Sequence, residues 1–366
     1  MGRAAEADRT ATGWRRRRRC NNALVMGGSD HSSSLLEGLT EAALIVADGR
    51  VLAANAMARA LLGDGIGGAS LAVAIPHPAA LESLERPGAG DGDDVELTGL
   101  GGARRHWLMR VARLADGTSL IRFLDRSEAR AAEQMRVDFV ANASHELRTP
   151  LATLIGYTET LRERSGEIDG DTRERFLAVV HDEALRMQHV VEDLISLSRI
   201  EAEKFSVPTA AVALGPLLDQ ALHAVARMAE GRGSEVVRDL APALPDIAAD
   251  RGQILQLLDN LLTNALRYGE PGTPVTLAAR AEGAMVHVTV SDQGEGIPPE
   301  HVARVTERFY RVDTSRSRSL GGTGLGLSIV KHIVERHRGR LSIDSKVGQG
   351  TSVHILLPVA PPAPIS

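Results

Sequence analysis

The chain has 366 residues, with 42 Lys and Arg against 47 Asp and Glu, and its net charge of -5 disfavours a general nucleic-acid binder. A single cysteine, Cys20, excludes an internal disulfide and a cysteine-based zinc site, and five Phe, three Tyr and two Trp are too few for base-stacking platforms. Glycine is in excess, at 36 residues or about 10% against ~7% in average proteins, which calls for places where backbone must approach something closely.

The length suggests two or three domains at ~150 residues each. Residues 1–30 are polar, Arg-rich and aperiodic, and read as a disordered tail. Its run Arg15–Arg19 is followed by no apolar region, so it is not a secretory signal; it reads as a solvated run, with peripheral membrane association left open. Met26 offers a second start. No stretch approaches the ~18 consecutive apolar residues of a membrane span, and the expectation is a cytoplasmic protein.

Residues 31–125 read as a small α+β domain. Ala43–Ala47, the turn Asp48-Gly49-Arg50 and Val51–Ala54 predict a hairpin, and Asn55–Leu62 a short helix ended by Gly63. Strands are predicted near Val95–Leu97, His106–Leu114 and Ser119–Leu124, with a flexible loop over Gly88–Asp94. From Arg126 the period becomes helical, with Phe139, Ala143, Leu147, Leu151, Leu154 and Leu161 forming a seam. After a loop at Ser165–Asp171, Phe176, Val180, Ala184, Met187, Val191 and Leu194 continue it on a second helix running to about Lys204. Two helices bury such a seam poorly alone, so the hairpin predicts a dimeric four-helix bundle. From about 206 the pattern is α/β. Helices are expected at Gly215–Ala229, Asp250–Arg267 and Gly324–Arg338, and strands at Val275–Ala279, Met285–Asp292, Arg340–Ser345 and Thr351–Leu357.

The sharpest segment is Phe139-Val140-Ala141-Asn142-Ala143-Ser144-His145-Glu146-Leu147-Arg148-Thr149-Pro150-Leu151. Leu147 and Leu151 belong to the seam, so His145 lies on a more exposed face, with Thr149 one turn further along. Pro150 removes the hydrogen bond to the Glu146 carbonyl and bends the helix beside His145. A neutral imidazole is a nucleophile, and Glu146 can reach one of its nitrogens and take the other proton.

Asn260, Asn264, Arg267 and Tyr268 share one helical face, opposite Leu258, Leu261, Leu262 and Leu266. Amide oxygens suit Mg²⁺, which keeps several waters and takes further ligands from phosphates; Arg267 supplies charge and Tyr268 a flat wall. Asp292-Gln293-Gly294-Glu295-Gly296 ends a strand, where a carboxylate can accept from an exocyclic amine. Gly321-Gly322-Thr323-Gly324-Leu325-Gly326 opens a helix and offers N–H groups to an anion, without being a Walker A loop or a dinucleotide fingerprint. Among the other histidines, His181, His189, His332 and His337 come with no further ligands, and His77 and His106 read as ordinary surface residues.

These motifs, in this order over residues 126–358, resemble two-component sensor histidine kinases. The His145 segment is similar to their phosphoacceptor box, and the Asn260, Asp292 and Gly322 segments to the nucleotide boxes of the ATP-binding domain shared with gyrase, Hsp90 and MutL ATPases. Glu307-Arg308-Phe309-Tyr310-Arg311 resembles the phenylalanine box of the ATP lid, whose Arg304, Arg308, Arg311, Arg316 and Arg318 would offset phosphate charge. Arg267 stands where many relatives carry Lys. The upstream segment is more loosely similar to a PAS sensor domain, and the whole to the phosphate-regulon sensor class, whose members are often membrane-anchored.

The resemblance implies a multidomain protein. Its parts are a tail (1–30), an α+β PAS-like sensor domain (31–125), a dimerisation and histidine phosphotransfer hairpin (126–205), a C-terminal α/β sandwich of the GHKL ATPase type (206–360) and a tail (361–366). It implies that His145 is autophosphorylated from ATP and passes the phosphoryl group to a response-regulator aspartate. Glu146 would be the general base, Arg148 part of the same box, and Thr149 a residue orienting water when that regulator is dephosphorylated. Asn264 would coordinate Mg²⁺ and Asp292 read the adenine amine. Asn260, Arg267, Tyr268, Gly294, Gly296, Phe309, Gly322, Thr323, Gly324, Leu325 and Gly326 would complete the nucleotide site. The rival readings are a GHKL ATPase without phosphotransfer, and a non-kinase regulator phosphatase or scaffold.

Overall fold

The computed structural model describes residues 34–85, 94–101, 105–164, 166–203, 205–313 and 322–361. The Arg-rich tail with Cys20 and Met26, residues 88–93 of the expected loop, Lys204, Arg316, Arg318 and Gly321 lie outside them. The chain divides into two compact units after Asp138.

In the first unit, β1 (Ala42–Ala47) and β2 (Arg50–Ala54) form the expected hairpin. They join β3 (Asp94–Thr98), β4 (His106–Arg113) and β5 (Ser119–Asp125) in an antiparallel sheet of order β2-β1-β5-β4-β3. Three short helices follow β2: α1 (Ala56–Leu62), α2 (Leu71–Ala74) and α3 (Pro78–Glu85). Asn55, buried at the mouth of α1, accepts from the Ala43 and Ala58 N–H groups and donates to the Leu36 and Glu41 carbonyls. One side chain thereby caps a helix and ties it to β1. Leu44, Met109, Ile121 and Phe123 fill the core between sheet and helices.

The helical segment begins with α4 (Ser127–Glu163), which runs unbroken through the buried Pro150. Within the second unit its C-terminal part pairs with α5 (Gly170–Ala202), which Asp169 caps by accepting from the Thr172 N–H. Tyr157 meets Phe176 edge-on at 4.9 Å across this hairpin. Phe139, placed in the seam by its spacing, instead packs on Phe309 at 5.9 Å, so the top of the seam is shared with the ATP-lid segment.

The rest of the second unit is a five-stranded sheet of order β11-β12-β10-β9-β7. Its strands are β7 (Val236–Leu240), β9 (Val275–Glu282), β10 (Met285–Asp292), β11 (Arg340–Lys346) and β12 (Gly350–Pro358). All pairings are antiparallel except β7 with β9. A two-stranded ribbon, β6 (Ala211–Val212) with β8 (Ile247–Ala248), lies beside it. Helices α6 (Leu214–Gly231), α7 (Arg251–Tyr268) and α9 (Gly326–Arg336) supply the core, and α8 (Pro299–Val302) is a short turn. Along α7 the buried Ile254, Leu257, Leu258, Leu261, Leu262, Ala265 and Leu266 recur at helical spacing. They meet Leu277, Val288, Val290 and Ile355 from one face of the sheet. On its other face stand Thr276, His287, Thr289, Ser291, Ser352 and His354, all only partly buried, as in an antiparallel sheet covered on one side.

Leu197 and Ile200 of α5 are buried in this same core. Arg336 holds Glu203 at 2.7 Å and Asp250 at 3.7 Å, and the Ser196 hydroxyl donates to Gln256 at 2.7 Å. The foot of α5 is therefore packed into the α/β module. Strand β7 and the β6–β8 ribbon escape the sequence pattern: β7 is a half-exposed edge strand, and the ribbon strands have two residues each.

Candidate active site

A cavity of about 590 Å³ opens in the second unit, between α7, the lid segment and α5. Asp250 starts α7 by accepting from the Gly252 and Gln253 N–H groups. With the leucines turned inward, Asn260, Asn264, Arg267 and Tyr268 face the cavity together. Asp292, at the end of β10, and Gly296 line it too, as do Gly322, Thr323, Gly324 and Gly326.

Three expected members stand elsewhere. Leu325 is fully buried in the core and serves as the N-cap residue of α9. Phe309 packs on Phe139, and Gly294 does not line the cavity although its N–H donates to Asp292 Oδ1 at 2.8 Å. The glycines also have a different reason from the one expected. A Cβ on Gly294 would sit 2.2 Å from the Tyr268 carbonyl oxygen, and one on Gly296, at φ +70°, 2.2 Å from that of Lys346. What comes close at both is the protein's own backbone. At Gly326 the Cβ would fill space beside the site, 2.6 Å from Asn260 Oδ1.

The lid is pinned at its base. The Phe309 N–H donates to the Gly324 carbonyl at 2.8 Å, and Phe309 takes a left-handed φ of 61°. Thr323 donates to Asp193 of α5 at 2.8 Å. Arg308 binds Glu201, also on α5, and lies 3.2 Å from His332 Nε2.

The cavity holds an acidic wall that sequence reasoning did not find: Glu192, Asp193 and Asp259, beside His189. Burial pushes Asp193 and Asp259 above the ordinary aspartate value of 3.8, with the Thr323 hydroxyl opposing this at Asp193 and His189 and Arg267 opposing it at Asp259. Burial raises Asp292 as well, against the Gly294 and Thr351 N–H groups. A carboxylate whose charge is penalised by burial is, taken singly, an oxygen donor of the kind Mg²⁺ accepts, but among the described residues these acids do not converge as a three-ligand group. The four-residue periodicity from Asp193 back to His189 was the available signal.

His145 is exposed on α4 with Arg148 and Thr149, and none of them lines the cavity. Thr149 Oγ1 donates to the His145 carbonyl at 3.3 Å. Glu146 departs from expectation. Instead of an imidazole nitrogen it accepts from Arg311 Nη2 at 2.7 Å, with Arg186 Nη2 at 3.5 Å. Two guanidinium groups outcompete one neutral ring for a carboxylate.

The second unit thus joins a helical hairpin exposing a histidine to an α/β module with a nucleotide-sized cavity. Residues 135–203 match the His Kinase A (phospho-acceptor) domain, and residues 249–361 the histidine kinase-, DNA gyrase B- and HSP90-like ATPase family. The hairpin and the α/β module are similar to those of two-component sensor histidine kinases. The chain is 39% identical over 228 residues to the phosphate regulon sensor protein PhoR of Pseudomonas aeruginosa, covering 62% of this chain and 51% of that one. It is 38% identical over 236 residues to the sensor histidine kinase WalK of Bacillus subtilis, covering 64% and 38%. The chain thus spans about half or less of the length of these relatives. In fold it resembles the histidine kinase ThkA, solved in complex with the response regulator protein TrrA, at a TM-score of 0.52 and 20% identity over 89% of this chain and 98% of that one.

Proposed function

We propose that the protein is an ATP-dependent protein-histidine kinase that phosphorylates His145 and passes the phosphoryl group to an aspartate of a response regulator. The observation that carries this is one compact unit holding both an exposed histidine on a phosphoacceptor-like hairpin and a nucleotide-sized cavity in an ATPase-like module. Asp292 accepts from the adenine amine, Tyr268 flanks the ring, Arg267 meets phosphate charge, and the N–H groups at Gly322–Gly326 receive phosphate oxygens. Asn264 would hold Mg²⁺, which when bound offsets charge on the phosphates.

In the transfer, a lone pair of the His145 ring attacks the γ-phosphorus and the bond to the bridging oxygen breaks. ADP leaves with that electron pair, and Glu146 takes the proton from the other ring nitrogen. Because His145 stands off the cavity and Glu146 is held by Arg311, the hairpin and module must first separate and re-engage. Exposure of Thr149 one turn from His145 supports a role for it in orienting water when the regulator is dephosphorylated.

The exposed Leu151, Ile155, Leu185 and Ile195 of the hairpin support a homodimer closed as a four-helix bundle. The strand order of the first unit supports a PAS-like sensor domain. Among the described residues no helix is long and apolar enough to cross a membrane; ATP as donor supports action in the cytoplasm.

Incubation with γ-labelled ATP tests the proposal. The expected product carries an acid-labile, base-stable label that is absent from His145→Gln. Equal labelling of that variant defeats it. ATP turnover without phosphoprotein would favour a plain ATPase, and regulator dephosphorylation without transfer a dedicated phosphatase.

A further inference from the structure

The open face of the second unit's sheet carries a pair of histidines that the kinase chemistry does not use. His354 on β12 lies opposite Thr289 on β10, and His287 is two residues back along β10. The facing ring nitrogens, His287 Nε2 and His354 Nδ1, are 3.3 Å apart. Thr289 Oγ1 is 3.3 Å from the first and 3.1 Å from the second. Each outward nitrogen faces a carboxylate: His287 Nδ1 is 3.5 Å from Glu282, and His354 Nε2 is 3.3 Å from Asp344.

A carboxylate accepts only, so in the tautomer that turns an N–H outward to Glu282 and to Asp344, each ring turns a lone pair inward. The two inward nitrogens then face one another and the Thr289 hydroxyl, which has one proton for the two. The arrangement lacks a positive centre. It is also the carboxylate–histidine pattern that orients metal-binding imidazoles and raises their basicity. With metal–nitrogen bonds of about 2.0–2.1 Å, two ligands of a tetrahedral ion stand about 3.3–3.4 Å apart, which is the separation found here. Arg280, opposite His287 on β9, is drawn off by Asp239 at 2.7 Å.

We propose that His287 and His354 bind a first-row divalent transition-metal ion, with Zn²⁺ as the probe, and that Thr289 and water take the remaining positions. Among the described residues no group of three His, Cys, Asp or Glu side chains forms a metal cluster. The ion is therefore exchangeable rather than structural. Imidazole pairs suit zinc, copper and nickel better than magnesium, which separates this site from the oxygen donors of the cavity.

The test is calorimetric titration of the tag-free, chelator-stripped full chain with Zn²⁺, without nucleotide. The expected result is one ion per chain, bound about tenfold or more weakly by His287→Gln and by His354→Gln and not by the double variant. Thermal melts check that each variant is folded. Nitrogen-15 spectra should show the two ring systems shifting on zinc addition while His223 stays put. Absence of saturable binding overturns the proposal, as does binding that survives in the double variant and so lies elsewhere. Ring signals that respond to pH but not to zinc overturn it too, because they identify a pair that only shares a proton.

Discussion

Glu146 and Arg311, 165 residues apart in the chain, are joined at 2.7 Å, and the Arg311 side chain is only 5% exposed. One end of this contact is the proposed proton acceptor, and the other lines the cavity proposed for the nucleotide. The docked arrangement therefore occupies the base while the hairpin and module are together.

Charge reversal should separate docking from chemistry. Glu146→Arg and Arg311→Glu each bring like charges together at a site where losing one partner costs about 3 kcal/mol. Amide exchange over residues 143–150 is expected to accelerate in both single variants. Combining them should restore protection but not labelling of His145, because the base is still missing.

Nucleotide affinity should depend on Asp292 in its ionised form. Asp292→Asn is expected to weaken ATP binding at least tenfold, or about 1.4 kcal/mol, as for loss of a charge-assisted hydrogen bond. Since burial raises this group above 3.8, protonation on acidification starts at a higher pH than for an exposed aspartate. ATP binding should fall off there, and a fluorescent nucleotide titrated across mildly acidic pH would record it.

Gly296 admits no side chain. Gly296→Ala combines a left-handed φ of +70° with a Cβ 2.2 Å from the Lys346 carbonyl oxygen, and strain of this kind costs about 1–3 kcal/mol. The melting temperature should drop by several degrees. Gly283→Ala, at φ +61° with nothing near its Cβ, should cost less.

His337 makes stability depend on pH. Fully buried, it donates from Nδ1 to the Ile333 carbonyl at 2.7 Å and accepts the Asp250 N–H on Nε2 at 3.0 Å, so the ring is neutral. Burial lowers it below its ordinary 6.5. Between the folded and unfolded values the unfolded chain binds the extra proton, so this stability is complete above about 6.5 and drains away as pH falls below it. Urea midpoints measured from pH 7 downward should decline, and His337→Gln, though less stable at neutral pH by about 1–3 kcal/mol, should decline less steeply.

What the chain discloses in advance follows from what is local. The face carrying Asn260, Asn264, Arg267 and Tyr268 was legible because a 3.6-residue period separates it from the leucines within one helix. The partners of Glu146 were not, since Arg311 and Arg186 come from other elements and sequence proximity pointed to His145. Gly294 and Gly296 were marked correctly as places of close approach, but their neighbours, Tyr268 and Lys346, are visible only once the loops are folded. Strand β7 was missed because an exposed edge carries no alternation, and the His287–His354 pair because 67 residues separate its members.

The hydrogen bond from Phe309 to Gly324 also governs what may stand at position 309. Its φ of 61° is one that glycine adopts at less cost than phenylalanine, so Phe309→Gly should keep the clasp while losing the ring that packs on Phe139. Backbone closure and side-chain anchorage meet at this one residue and can be loosened separately.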